Sequence, residues 1–538
     1  MRPHPPIVFA VVIAAIVTTP TSAMEYWIAP DGNDRAAGTS RQRAWVSPSR
    51  GQPTRIREGY KAGDMQLRVL STEGFLDAGR IIVAGEQRAY TSKSGEAFEL
   101  TEPLSRDFGG LEYVNDATIL GGDSFEPGDV ISLVGGEYVD RPLHFCKSGR
   151  EGKPITYRSA PGEKAVLVSR VYNVAPIKRL GSWKKDSTQH VVFKALGIDN
   201  HTDGRHGAAG LELYGIAHVL IEDCDIDISG HDINGDNNGI VISRASDVVV
   251  DRCRIRSRQA NGILVRGSSD VLIRNSVIYE SFNGIQVAKG HFPTHVDVKN
   301  CTIYAVNTHG AVNAESPGSI DVENCIIAQA PTAQTPALRG TGSGDFNCVW
   351  HVPTPYGPDW NGSPQGAPGQ HDIFVDPQFI SLDPGTPYFL CIPHDSPAAQ
   401  GGRKGSHMGA FAPVAWPIKP QGKDFDVRDF GAVGDGVSDD LPAIREAIAE
   451  AKAAGGGRIL FPPSDNPYLV SDTIHVDADH IHLIGPGATL KLKPGAGRMD
   501  LLRVGVCVDA ARSGPVEPVI EHVTVEGFTL DGSYRSQL

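Results

Sequence analysis

The chain has no run of lysine and arginine, and its formal net charge is −13 over 538 residues. Nucleic-acid binding needs a basic face, so no nucleic-acid partner is expected. Beyond the N-terminus it has no apolar stretch of the roughly 20 residues that a bilayer requires, which excludes a membrane-spanning helix. Aromatic residues make up only 7% of the chain. Of its eight cysteines, Cys146, Cys348, Cys391 and Cys507 show no metal-ligand spacing.

The one concentrated apolar run is Ile7 to Val17, behind Arg2 and His4. As a helix it would reach only about 16 Å, about half a bilayer core. Thr21 and Ala23 supply small residues for cleavage after Ala23. Residues 1–23 therefore read as a signal peptide, and the mature protein as secreted or periplasmic.

What the chain has instead is a repeat. Asn238-Gly239-Ile240, Asn261-Gly262-Ile263 and Asn283-Gly284-Ile285 recur at spacings of 23 and 22 residues. Strands ending Glu222-Asp223-Cys224, Asp251-Arg252-Cys253, Arg274-Asn275-Ser276, Lys299-Asn300-Cys301 and Glu323-Asn324-Cys325 keep the same phase. A period near 23 means stacked coils, none of which can bury its apolar face alone. Within a coil the pattern alternates with period two. Leu211, Ile240, Ile263, Ile285 and Ala311 read as inward, as do Leu213, Ile242, Val265, Val287 and Asn313. Glu212, Val241, Leu264, Gln286 and Val312 read as outward. The Asn-Gly step reads as a sharp bend at positive φ. The cysteine phase reads as an inward stack of free thiols, because parallel Cβ vectors disfavour bridges. The fold class is all-β: a right-handed parallel β-helix over residues 111–412, a solenoid whose crossovers take the usual hand.

Residues 24–50 form the opening segment, and residues 51–110 read as a small inserted β module. A proline-rich linker occupies residues 413–423. After it comes a helix near residues 441–454, capped by Asp439 or Asp440 and stopped by Gly455 to Gly457.

Tyr26-Trp27-Ile28-Ala29-Pro30-Asp31-Gly32-Asn33-Asp34 and Pro127-Gly128-Asp129-Val130 resemble the opening of secreted right-handed parallel β-helix, pectin-lyase-like proteins. Met408-Gly409-Ala410-Phe411 is similar to that domain's close. Val427-Arg428-Asp429-Phe430-Gly431-Ala432-Val433-Gly434-Asp435-Gly436, with Phe461-Pro462-Pro463, resembles the N-terminal segment of the rhamnogalacturonase/epimerase-like pectate lyase superfamily. That resemblance implies a helix-capped start of a second β-helix over residues 424–538, incomplete because the family's active site lies further along. The superfamily spans lyases, hydrolases, epimerases and tailspikes, so it does not fix the reaction.

Arg244, Arg266 and Lys289 follow the Asn-Gly strands on successive coils and read as a cationic ladder. Arginines pair with carboxylates, and a lysine can remove the proton α to one. Glu212, Gln286, His309 and Glu315 are candidate substrate contacts. Asp232 and Asp236 in the longest repeat have oxygen-ligand spacing for Ca2+, which lyases of this fold often use. Asn200-His201-Thr202-Asp203-Gly204 and Thr308-His309-Gly310 resemble polygalacturonase motifs, but no paired Asp lies on the intervening coil. The expected function is carbohydrate-active, on an acidic polysaccharide, and most simply that of a polysaccharide lyase. The alternatives are a glycoside hydrolase of the same fold and a glycan-binding or adhesion β-helix.

Overall fold

The structure, a computed structural model, describes residues 23–110, 112–118, 125–171, 174–180, 188–200, 209–228, 237–258, 260–288, 294–306, 310–315, 318–328, 336–340, 343–352, 354–357, 367–414, 423–496, 500–505 and 523–532. The chain divides into two compact units. One holds Met1–Asp376 and Gln400–Ala410; the other holds Pro377–Ala399 and Phe411–Leu538.

The first unit is a parallel β-helix of three long sheets. Its first sheet has ten strands, and the second and third have nine each among the described residues. Each coil contributes one strand to each sheet: Ile240–Ser243, Ser246–Asp251 and Arg254–Ser257 make one coil. All pairing within these sheets is parallel, so every coil sits directly on the next. The core is a column of aliphatic side chains, among them Ile240, Ile263, Ile285, Val250 and Ile273, all fully buried.

Two turns make the stacking possible. Between the first and third sheets the chain bends through a residue with positive φ: Asp223, Arg252, Asn275, Asn300 and Asn324, at 50–55°. This is the second member of each polar pair seen in the sequence. The following residue faces inward, giving the buried stack Cys224, Cys253, Ser276, Cys301 and Cys325. Asn347 continues it, because Cys325 N donates to Asn347 Oδ1 at 3.0 Å. Likewise Cys253 N donates to Ser276 Oγ at 3.1 Å and Cys301 N to Cys325 Sγ at 3.4 Å. The position therefore takes a small side chain that accepts a hydrogen bond. All seven described cysteines are free and buried; Cys507 lies outside the described residues.

At the Asn-Gly step the expected positive-φ bend is not what forms. None of Asn238, Asn261, Asn283 or the glycines after them has positive φ. The asparagines form a buried ladder instead: Asn261 Nδ2 donates to Asn238 Oδ1 at 2.7 Å, and Asn283 Nδ2 to Asn261 Oδ1 at 2.6 Å. Glycine follows for space. A Cβ on Gly262 would lie 2.5 Å from Ile278 Cγ2 and 2.8 Å from Gly284 O.

Residues 54–116 form a six-stranded antiparallel sheet with its own core of Ile56, Leu67, Phe98 and Val114. Arg50 fastens this module: buried with Asp116 in an ion pair, it also donates to Gly74 O at 2.8 Å.

The second unit contains the helix Leu441–Ala453, whose Leu441, Ile444, Ile448 and Ala451 are buried against Ile459, Leu483 and Leu490. Asp439 rather than Asp440 reaches the helix start, accepting from Leu441 N at 3.3 Å. Asp440 is buried and ties two neighbours, accepting from Val433 N at 2.6 Å and Leu469 N at 3.1 Å.

Gly262→Ala tests the close approach. The Ile278 side chain and the Gly284 carbonyl must both give way, so denaturant unfolding should show a loss of about 2–3 kcal/mol. A loss under about 0.5 kcal/mol would mean that the glycine is not there for space.

Candidate functional site

The second sheet presents one outward row, and strand register fixes its members. It runs His144, Lys178, Glu212, Val241, Leu264, Gln286, Asn313, Arg339, Gly357. Three zones result. Lys178 Nζ meets Glu212 Oε2 at 3.1 Å near one end. Val241 and Leu264 form a covered apolar middle with Ala209, packed by Tyr214 and Ala288. Gln286, Asn313 and Arg339 then make a polar zone, in which Gln286 Nε2 donates to Glu315 Oε1 at 2.8 Å and Asn283 Nδ2 to Gln286 Oε1 at 3.0 Å.

Asn313 is the exceptional member. It is fully buried, and neither its Oδ1 nor its Nδ2 has a hydrogen-bond partner. A buried amide with neither group satisfied costs on the order of 1–3 kcal/mol per group. Such groups are few in folded proteins and are found where a ligand or water completes the pairing.

The sequence placed Asn313 facing inward. The register corrects this: Ile285 pairs with Val312, so Val312 and Ala314 face the core and Asn313 faces out beside Gln286. The slip has a local cause. Gly310, at φ 119°, does not fill the place of Gly239, Gly262 and Gly284. That place belongs to Ala311, whose carbonyl accepts from Ile285 N at 2.9 Å. With no Asn-Gly pair on this coil, nothing in the residue pattern marks the extra residue. Arg339 was missed for a related reason, since its strand is only Leu338–Arg339.

The cationic ladder is also corrected. Arg266 pairs in register with Ser243, not with Arg244. Arg244 lies one residue further, in the turn at φ 52°, and its N–H donates to Arg266 O at 3.0 Å. Both side chains are exposed at the same end of the sheet, but they are offset by one residue and do not stack as rungs. Glu212, Gln286 and Glu315 all belong to the second sheet's outward side. Lys289, His309, Asp232 and Asp236 lie outside the described residues, as do His201, Thr202 and Asp203. The Ca2+ expectation therefore rests on the sequence alone.

His144, at the head of the row, is covered by the inserted module and bonds Ser71 Oγ through Nδ1 at 2.9 Å. Burial, with Lys178 on the next coil adding to it, pushes its imidazole down to about 4.

Two family models match the chain. Residues 187–342 match "Right handed beta helix region", and residues 425–509 match "Rhamnogalacturonase A/epimerase, pectate lyase-like". The chain carries a right-handed β-helix of pectin-lyase-like fold. Among curated proteins, mannuronan C5-epimerase AlgE6 of Azotobacter vinelandii is 43% identical over 84 residues, 14% of this chain and 9% of that protein. Plasmin and fibronectin-binding protein A of Streptococcus pneumoniae is 44% identical over 69 residues, 12% of this chain and 9% of that protein. The chain thus spans less than a tenth of the length of either relative. Among solved structures, pectate lyase Pel9A is 14% identical, covering 73% of this chain and 97% of its own, with a TM-score of 0.35. A rhamnogalacturonan lyase is 13% identical, covering 69% and 95%, with a TM-score of 0.36.

His144 gives a pH prediction. Its pKa is lower in the folded chain than the roughly 6.5 of an unfolded one, so the unfolded state binds more protons between about pH 4 and 6.5. Stability is fully present above that window and falls on acidification through it. In His144→Gln, the loss between pH 7 and pH 4.5, read from urea midpoints, should be smaller by about 2 kcal/mol. Parallel losses in both proteins would contradict this.

Proposed function

We propose that the outward face of the second sheet binds an acidic polysaccharide and acts on it by removing the proton α to a uronate carboxylate. The observation that carries this reading is Asn313, a fully buried amide with both groups unpaired, set in one row with Gln286 and Arg339. The cluster offers an amide, a guanidinium and the Glu315 carboxylate on neighbouring coils, which suits a ligand with carboxylate and hydroxyl groups. Gln286, Asn313 and Arg339 stand on three successive rungs, which suits a chain-like ligand.

Proton abstraction is common to two outcomes. Expulsion of the oxygen at the adjoining carbon cleaves the chain, as a lyase does. Return of a proton to the opposite face inverts the centre, as an epimerase does. The relatives include epimerases and an alginate lyase by name, and their short matches support the class of chemistry rather than one outcome. Within this reading Arg266 and Arg244 neutralise the uronate, Lys289 is the base, and the protein works outside the cytoplasm.

One observation favours a second reading. Val241 and Leu264 occupy the centre of the row. An apolar centre is compatible with a glycan-binding or adhesion protein that grips without turnover.

The deciding experiment offers the full chain mannuronan, polygalacturonate and a neutral glucan. Unsaturated uronate is followed by ultraviolet absorbance, and exchange of the α-proton by NMR in deuterated water. Arg266→Ala should weaken polyuronate binding by about 1–3 kcal/mol. Lys289→Ala should abolish turnover and keep most binding, since a base acts in the transition state. Equal affinity for neutral and acidic chains would defeat the proposal. Binding of uronates without exchange or cleavage would transfer it to the adhesion reading.

A further inference from the structure

The outer face of the first sheet carries a cluster that the polysaccharide reading does not use. His295 and Asp297 alternate on the strand His295–Lys299, and Ser319 and Asp321 alternate on the next, Ser319–Glu323. Register places His295 beside Ser319 and Asp297 beside Asp321, so the four side chains form a two-by-two patch on two rigid strands. His295 Nε2 lies 3.7 Å from Asp297 Oδ2 and 3.6 Å from Asp321 Oδ2. One ligand atom from each of His295, Asp297 and Asp321 lies within 4.8 Å of the other two. The ring's orientation is set on its other side, where Nδ1 meets Ser319 Oγ at 2.9 Å. Metal-bound histidines are typically held in this way by their second nitrogen.

A separate comparison within the same sheet points to a cation. Glu222 and Asp251 are also acids paired in register on adjacent strands. There the Arg252 guanidinium lies between them, donating to Asp251 Oδ2 at 2.8 Å and pairing with Glu222. Adjacent like charges on a sheet are destabilising unless something lies between them. Among the described residues, no arginine pairs with Asp297 or Asp321. What lies between them is an imidazole, while Lys299 Nζ takes only the far oxygen of Asp297, Oδ1, at 3.1 Å.

We propose that His295, Asp297 and Asp321 bind one divalent first-row transition ion. Imidazole nitrogen with two carboxylate oxygens is a donor set for zinc or its neighbours rather than for an all-oxygen ion. Three protein ligands leave coordination positions open to water or to an acidic ligand. Lys299 competes with the ion for Asp297.

The test is calorimetric titration of the full chain with Zn2+, with Mn2+ as a weaker-binding comparison. The expected result is a saturable site that Asp321→Asn and His295→Gln each weaken at least tenfold, while Lys299→Ala tightens it. Thermal unfolding without metal should be unchanged or raised in Asp321→Asn, because the like-charge contact is gone, which separates loss of a ligand from loss of fold. Absence of saturable Zn2+ binding in the native chain would overturn the proposal. So would affinity within twofold of native in either ligand variant, or no gain in Lys299→Ala.

Discussion

In the β-helix of the first unit the strands' backbone hydrogen bonds leave their own coil for the coils above and below. One coil has no pairing of its own and too few inward side chains to offset the ordering of about 23 residues. Everything else depends on how closely and in what register the coils stack. The glycines after Asn238, Asn261 and Asn283 let backbone approach backbone, and the asparagine ladder holds the coils in phase. The inward Cys/Ser/Asn stack does the same at the opposite turn, by accepting N–H groups that the bend would leave unpaired. Unpaired buried N–H groups are costly, so these small residues are constrained by hydrogen bonding as well as by volume.

The same constraint arranges the surface. Register converts a single sequence position into a row, and a row becomes a line of side chains about 4.8 Å apart. On the second sheet that line passes from the Lys178–Glu212 pair through Val241 and Leu264 to Gln286, Asn313 and Arg339. On the first sheet it sets carboxylates against one another at Asp297 and Asp321. Surface chemistry here follows from a shared phase, and a one-residue slip changes which groups meet.

Much of the fold was legible in the sequence because the repeat is long and its phase is marked by unusual residues. The strands, the inward aliphatic column and the cysteine stack all follow from period-two alternation read against the 23-residue phase. Where the mark disappears, the reading slips. At Gly310 the Asn-Gly pair is absent, and the sequence alone turned Asn313 inward and hid the polar zone. The Asn-Gly step was located correctly but explained wrongly, since turn propensity cannot reveal a contact with a coil 23 residues away. Arg244 stands six residues after Asn238 and Arg266 five after Asn261, so their offset was legible in the spacing; the turn residue that matches Arg244 is Gly267, at φ 57°. His144 could not have been found, because what covers it is the inserted module.

The central claim is that phase is held between coils rather than within them. Amide hydrogen exchange of Asn261→Ala, read strand by strand against the native chain, tests it most directly. Asn261 bonds the asparagines on both neighbouring coils. Exchange should therefore quicken together in Ile240–Ser243, Asn261–Arg266 and Asn283–Val287. Quickening confined to Asn261–Arg266, with both neighbouring strands unchanged, would contradict the account.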